Sequence, residues 1–165
     1  MSGFPLDHVS ENEVVSVSHD FVVSSDELLA AFTSRDLFLQ WYPPRGWSVQ
    51  PDTVTFEPQR GGRVQLAMKH ESELNVFAPV YLRFESISLE GLELVESIAG
   101  PMGEPTDHLM GIRIGFVPGT VITSSGVGEG ITVKVEVGPL PEQVHDDVAA
   151  TWKGSLTKLE EVLSS

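Results

Sequence analysis

The chain has 165 residues, 24 acidic against 10 basic side chains, a formal charge of −14 and no cysteine. The length suits one domain able to bury a core without staples. The missing thiols exclude disulfides, thiolate metal sites and a cysteine nucleophile, and the negative charge opposes phosphate backbones and anionic bilayers as partners.

No apolar run approaches the roughly 18 residues of a spanning helix. The opening MSGFPLDHVSENE lacks the basic start and apolar core of a signal peptide. A cytoplasmic protein without nucleic-acid partner or membrane span is the expectation.

Residues 1–12 are polar and aperiodic and read as a flexible N-terminal arm, with 13–165 as one domain. Residues 14–23 alternate as a first strand, collecting Val15, Val17, His19, Phe21 and Val23 on one face. Two short helices follow. Ser24 or Ser25 can cap the first, whose apolar face is Leu28, Leu29 and Phe32. Thr33 or Ser34 breaks it and caps the second, which carries Leu37, Phe38 and Trp41. The pair Pro43-Pro44 then forbids continuation.

From Trp47 the pattern predicts antiparallel sheet, with strands over 49–56, 63–70, 76–88, 92–98, 109–116 (resumed at 120–123) and 131–137. Turns are expected at 58–62, 71–75, 90–91 and 126–130. Residues 99–108 hold Gly100, Pro101, Gly103 and Pro105 and read as a long loop. Residues 141–163 form one long amphipathic helix, its stripe being Val144, Val148, Trp152, Leu156, Leu159 and Leu163. Pro141 suits its first turn, and Glu142, Asp146 and Asp147 suit the positive end of its dipole. Gly154, mid-helix, marks either a tolerated glycine or a close approach.

Sequential turns imply neighbouring antiparallel strands, one face covered by the helix. A bent sheet wrapped round one helix cannot be filled by that helix alone, so a cavity between them is expected.

This order of strand, two short helices, curved antiparallel sheet and long C-terminal helix resembles the helix-grip fold of START-type and birch-pollen-allergen-type domains, the SRPBCC superfamily. Within it, the chain resembles homologues of the activator of heat-shock-protein-90 ATPase. The likeness is carried by SSDELLAAFTSRDLFLQWYPP, ending near Trp41, by PQRGGRVQLAM with its pair Gly61-Gly62, and by TWKGSLTKLEEVL with Trp152. It departs at Thr151, where the family usually has glycine, and over 100–130. The resemblance implies an α+β fold with six to seven strands round the long helix. It constrains function less, because such domains bind lipids, hormones or polyketides and a few catalyse cyclisation.

Chemical motifs are sparse. Ser124 and Ser125 lack the spacing of a nucleophile elbow. The glycines at 126, 128 and 130 lack the lysine of a phosphate loop. His8, His19, His70, His108 and His145 show no metal-ligand spacing. No cofactor and no metal is expected. The candidate cavity lining is Trp41, Trp47, Phe56, Met68, His70, Phe77, Tyr81, Phe84, Met110, Phe116 and Trp152, with His19, Glu96 and Arg113 as polar candidates. Strand parity could place any of these on the opposite face.

Three functions compete. The first is binding of a small apolar molecule, the second a cyclase-like reaction on an apolar carbonyl substrate, the third a module contacting a chaperone ATPase. A homodimer or another protein partner stays open.

Overall fold

The computed structural model describes residues 4–123 and 126–164. Its strands are β1 (Val15–Phe21), β2 (Trp47–Val49), β3 (Thr55–Phe56), β4 (Arg63–His70), β5 (Phe77–Ser88), β6 (Gly91–Ala99), β7 (Pro105–Thr123) and β8 (Gly126–Gly138). Its helices are α1 (Ser25–Thr33), α2 (Arg35–Trp41) and α3 (His145–Ser164). All strands join one antiparallel sheet in the order β1-β8-β7-β6-β5-β4-β2, with β3 also on β4. The sheet curls as a half-barrel round α3, the helix-grip arrangement of an α+β protein.

Local chemistry sets the helix boundaries. Ser24 accepts from the Glu27 amide while the Glu27 carboxylate reaches back to the Ser24 amide, a capping box that starts α1. Ser34 ends α1 and caps α2 by accepting from the Leu37 amide. The inward stripe of the sheet runs across Val17, Val135, Ile114, Leu92, Leu94, Phe84, Leu82, Val64 and Leu66, all buried. Leu28, Ala31, Phe32, Phe38 and Trp41 close one end of this face, and Leu156 and Leu159 of α3 are fully buried on it.

Several expectations change. The strand over 49–56 is two short strands split by a 3-10 turn at Pro51–Thr53. The loop over 99–108 shrinks to 100–104, because β6 and β7 pair out to Ala99↔Pro105. Gly126–Gly130 is not a turn: β7 and β8 stay paired to Thr123↔Gly126. Ser124 and Ser125 lie outside the described residues. Pro118, read as an interruption, is accommodated because β6 ends opposite Gly115, so β7 has a ladder neighbour only on the β8 side beyond it. The long helix begins at His145, preceded by a 3-10 turn at Glu142–Val144.

The stretch read as a flexible arm is also built into the fold from Phe4 onward. It makes 3-10 turns at Pro5–His8 and Glu11–Glu13 and buries Leu6. Gly111 of β7 makes room for it: a Cβ there would meet Leu6 and Phe4 at 3.1 Å. Arg113, two residues on, binds Asp7 and Glu93 at 2.9 Å each and lies over the Phe4 ring.

Two stability predictions follow from this packing. Leu6→Ala should lower stability by about 2 kcal/mol in chemical denaturation, the lower range for a buried leucine since it sits at the rim; no change would return the segment to a loose arm. A Cβ at Gly154 would meet nothing within 4 Å, so the tolerated-glycine reading holds. Gly154→Ala should therefore raise stability by about 0.5–1 kcal/mol, read from the denaturation midpoint.

Candidate functional site

The grip of α3 is uneven along its length. Its second half is sealed down: Ser155 donates to the Tyr42 carbonyl at 3.1 Å, and Lys158 donates to the Pro43 carbonyl. Glu160 Oε1 lies 2.7 Å from His19 Nε2 on β1. The first half stands off the sheet. Beneath it opens a cleft of about 350 Å³, walled by Met68, Ala78, Val80, Met110, Val137, Val148 and Trp152 and bordered by Asp147 and Thr151. A smaller recess of about 70 Å³ continues it along Pro44 and Ser155.

Two polar side chains enter this apolar space. Glu96 stands on the inward face of β6, opposite Leu82 on one side and Met110 on the other. Among the described residues its carboxyl has no hydrogen bond and no cationic partner. Burial pushes it up to about 7 from 4.5, because the low-dielectric surroundings disfavour the charged form. Tyr42 follows α2 and lines the same cleft. Its ring stacks on Phe38 at 4.7 Å and meets Trp152 edge-on at 6.3 Å. Burial raises its phenol well above the usual tyrosine value, and the charge of Glu96 adds to that. A carboxyl that titrates near neutrality beside a phenol that stays protonated can hold a polar group, or exchange a proton with one.

The expected lining and polar residues divide among five places. Met68, Met110, Trp152 and Glu96 reach the cleft. Trp41, Phe56, Phe84 and Phe116 belong to the packed end instead. Trp41 is fully buried and donates from Nε1 to the Ala31 carbonyl at 2.8 Å. Phe32 and Phe38 pack edge-on against Trp41 at 4.7 and 5.3 Å, leaving almost no space. Trp47 and His70 pair across β2 and β4 at the sheet edge, their rings 4.9 Å apart. His70 Nδ1 there accepts from the Ser72 and Glu73 amides, which shapes the turn. His19 holds α3 to β1.

Phe77, Tyr81 and Arg113 are corrections. All three point outward. Phe77 is 52% exposed, Tyr81 donates to the Gly103 carbonyl at 2.6 Å on the outer surface, and Arg113 holds the N-terminal segment. The parity was legible. Tyr81 alternates in register with Arg83, against Leu82 and Phe84. Arg113 sits between Ile112 and Ile114, while Glu96 shares its face with Leu92 and Leu94. Tyr42 was missed because WYPP reads as a helix stop; the tyrosine just before two prolines is aimed by that stop into the cleft. A larger groove, about 660 Å³ by Phe4, Arg60 and Glu93, lies on the outer face. Among the described residues no three His, Asp or Glu side chains gather as a metal site, and no helix is long and apolar enough to cross a membrane.

No family model and no curated protein matches the chain. Solved structures do. The AHSA1 protein of Silicibacter pomeroyi is 16% identical, covering 92% of this chain and 97% of that one with a TM-score of 0.76. An Arthrobacter aurescens protein is 15% identical, covering 93% and 87%, with a TM-score of 0.74. A Nitrosomonas europaea protein is 17% identical, covering 94% and 97%, with a TM-score of 0.71. At such identities the likeness shows the fold, the helix-grip, START-like one.

The Glu96 environment has a consequence for stability. Between 4.5 and about 7 the folded state keeps a proton that the unfolded chain releases, so this group's contribution falls as pH rises through that window. Glu96→Gln should therefore stabilise more at about pH 8 than at about pH 5, the difference being on the order of 2 kcal/mol with allowance for solvent in the cleft. Equal effects at both pH values, by urea denaturation, would put the carboxyl in water.

Proposed function

We propose that this chain binds a small, largely apolar molecule in the cleft beneath the first half of α3. The observation that carries this reading is the cleft itself: apolar walls with Glu96 and Tyr42 set into them. Its volume of about 350 Å³ sits at the small end of ligand sites, which span roughly 300–1,000 Å³. The likeness to helix-grip structures adds support, since that architecture commonly encloses hydrophobic ligands.

A second reading is favoured by one observation. A carboxyl held up to about 7 is poised as general acid or base at neutral pH. Acting on a bound carbonyl compound, as a cyclase-like enzyme would, it could take a proton from the adjacent carbon while the Tyr42 hydroxyl donates a hydrogen bond to the oxygen. A module contacting a chaperone ATPase would need a contiguous apolar patch. The most exposed large apolar side chains, Met102 and Leu74 against Ile122 and Val127, lie towards opposite ends of the long strands.

The binding reading is checked by native mass spectrometry of the purified protein before and after organic extraction. A bound apolar mass that extraction removes is expected. Ala78→Trp, which would place an indole in the cleft, should eliminate both that mass and the fluorescence gain of added Nile red. Retention of both in this variant would move the ligand elsewhere.

A further inference from the structure

The lining of the cleft is one-sided in charge. Glu96 faces in from β6, Asp147 borders the mouth from α3, and among the described residues no lysine, arginine or histidine lines the space. The nearby cations are engaged elsewhere. Lys158 donates to the Pro43 carbonyl, Arg45 pairs with Glu161 at 2.6 Å, and Arg113 pairs on the outer face. A ligand with a carboxylate head, such as a fatty or aromatic acid, would bring a third negative charge beside these two and find no cation among the described lining residues. The rings of Tyr42 and Trp152 border the same cleft, and aromatic faces attract cations.

We propose that the ligand is a lipophilic amine, whose ammonium pairs with the Glu96 carboxylate while its apolar body lies along Met68, Val80, Met110 and Trp152. This rests on the binding reading above and specifies its ligand class. Pairing resolves the main mismatch of the cleft, a carboxyl on an apolar face without a partner among the described residues. An ammonium favours the ionised form that burial disfavours and supplies a charge-assisted hydrogen bond. The overall charge of −14 draws cations toward the surface and repels anions.

The test is a matched series on one scaffold: phenylbutylamine, phenylbutanol and phenylbutyrate, titrated into the whole protein by calorimetry at about pH 8, where the amine is still protonated. The amine should bind at least about tenfold tighter than the alcohol, and the acid more weakly than either. In Glu96→Gln the amine-to-alcohol ratio should collapse to within about twofold. If the alcohol or the acid binds as tightly as the amine to the unaltered protein, the amine assignment falls and the cleft reading stands. If none of the three binds, both fall. An amine preference that survives Glu96→Gln would trace to the general surface charge and overturn the role of Glu96. The comparison on unaltered protein decides the ligand class even if that variant folds poorly.

Discussion

The structure depends on how the last helix is pressed into the sheet. Leu156 and Leu159 are wholly buried against the concave face, and burying side chains of this size contributes about 1.5–3 kcal/mol each. Around them Ser155 and Lys158 donate to the carbonyls of Tyr42 and Pro43. These carbonyls come directly after α2, which Pro43-Pro44 stops, so the chain leaving one helix is satisfied by the side of another. All of this lies in the second half of α3. Before Ser155 the stripe keeps Trp152 and Val148, but the neighbouring positions on that side are Thr151 and Asp147, which are shorter or charged. The helix is thus fixed at one end and stands off the sheet at the other. The cleft is the space that difference leaves.

Charge follows the same division into an inside and an outside. On the outer face, carboxylates and guanidiniums sit in pairs, as Arg83 with Glu85 and Arg113 with both Glu93 and Asp7. Such exposed pairs contribute little each, often under about 1 kcal/mol. Arg113 does more because it tethers a segment that covers Gly111 and Gly138 of the sheet. Glu96 stands apart, on the inward face and unpaired among the described residues. Burying a carboxyl in this way costs stability, and packing alone gives Glu96 nothing in return among the described residues.

The fold was legible because its signals are local and redundant. Ser24 and Ser34 cap as their positions suggest, and Leu156 and Leu159 recur at helical spacing. Val133, Val135 and Val137 alternate as a half-buried strand should. What was misread depends on contacts distant in sequence. Pro118 looks like a strand breaker until β6 is seen to end beside it. Gly126, Gly128 and Gly130 look like a turn until they are found opposite Thr123, Val121 and Gly119. The N-terminal segment looks aperiodic because, among its described residues, Leu6 alone is buried, and a single anchor has no period. At the site, large aromatic side chains were the natural candidates, yet Trp41, Phe84 and Phe116 fill the closed end. Size marks a residue as apolar and buried; it does not tell a packed core from a cleft wall.

The walls that remain open are built from side chains of another kind. Met68 on β4 and Met110 on β7 line the cleft floor, with Ala78 and Val80 on β5 and Glu96 on β6 between them and Val137 on β8 beyond Met110. Aromatic rings pack against one another edge-on and close space, as Phe32, Phe38 and Trp41 do. Unbranched thioethers do not; they have several rotamers of similar energy and adjust to what lies against them. Ala78 opposite Met68 keeps the volume that a leucine would fill. Thr151 has the same effect on the helix side: its hydroxyl donates back to the Asp147 carbonyl at 2.9 Å, so this short side chain is tied to its own helix and does not reach down towards the sheet. The closed and open halves of one concave face therefore differ in side-chain shape as well as in the polar groups set into the open half. Periodicity alone finds the face, and only the order of large, small and flexible side chains along it locates the cleft.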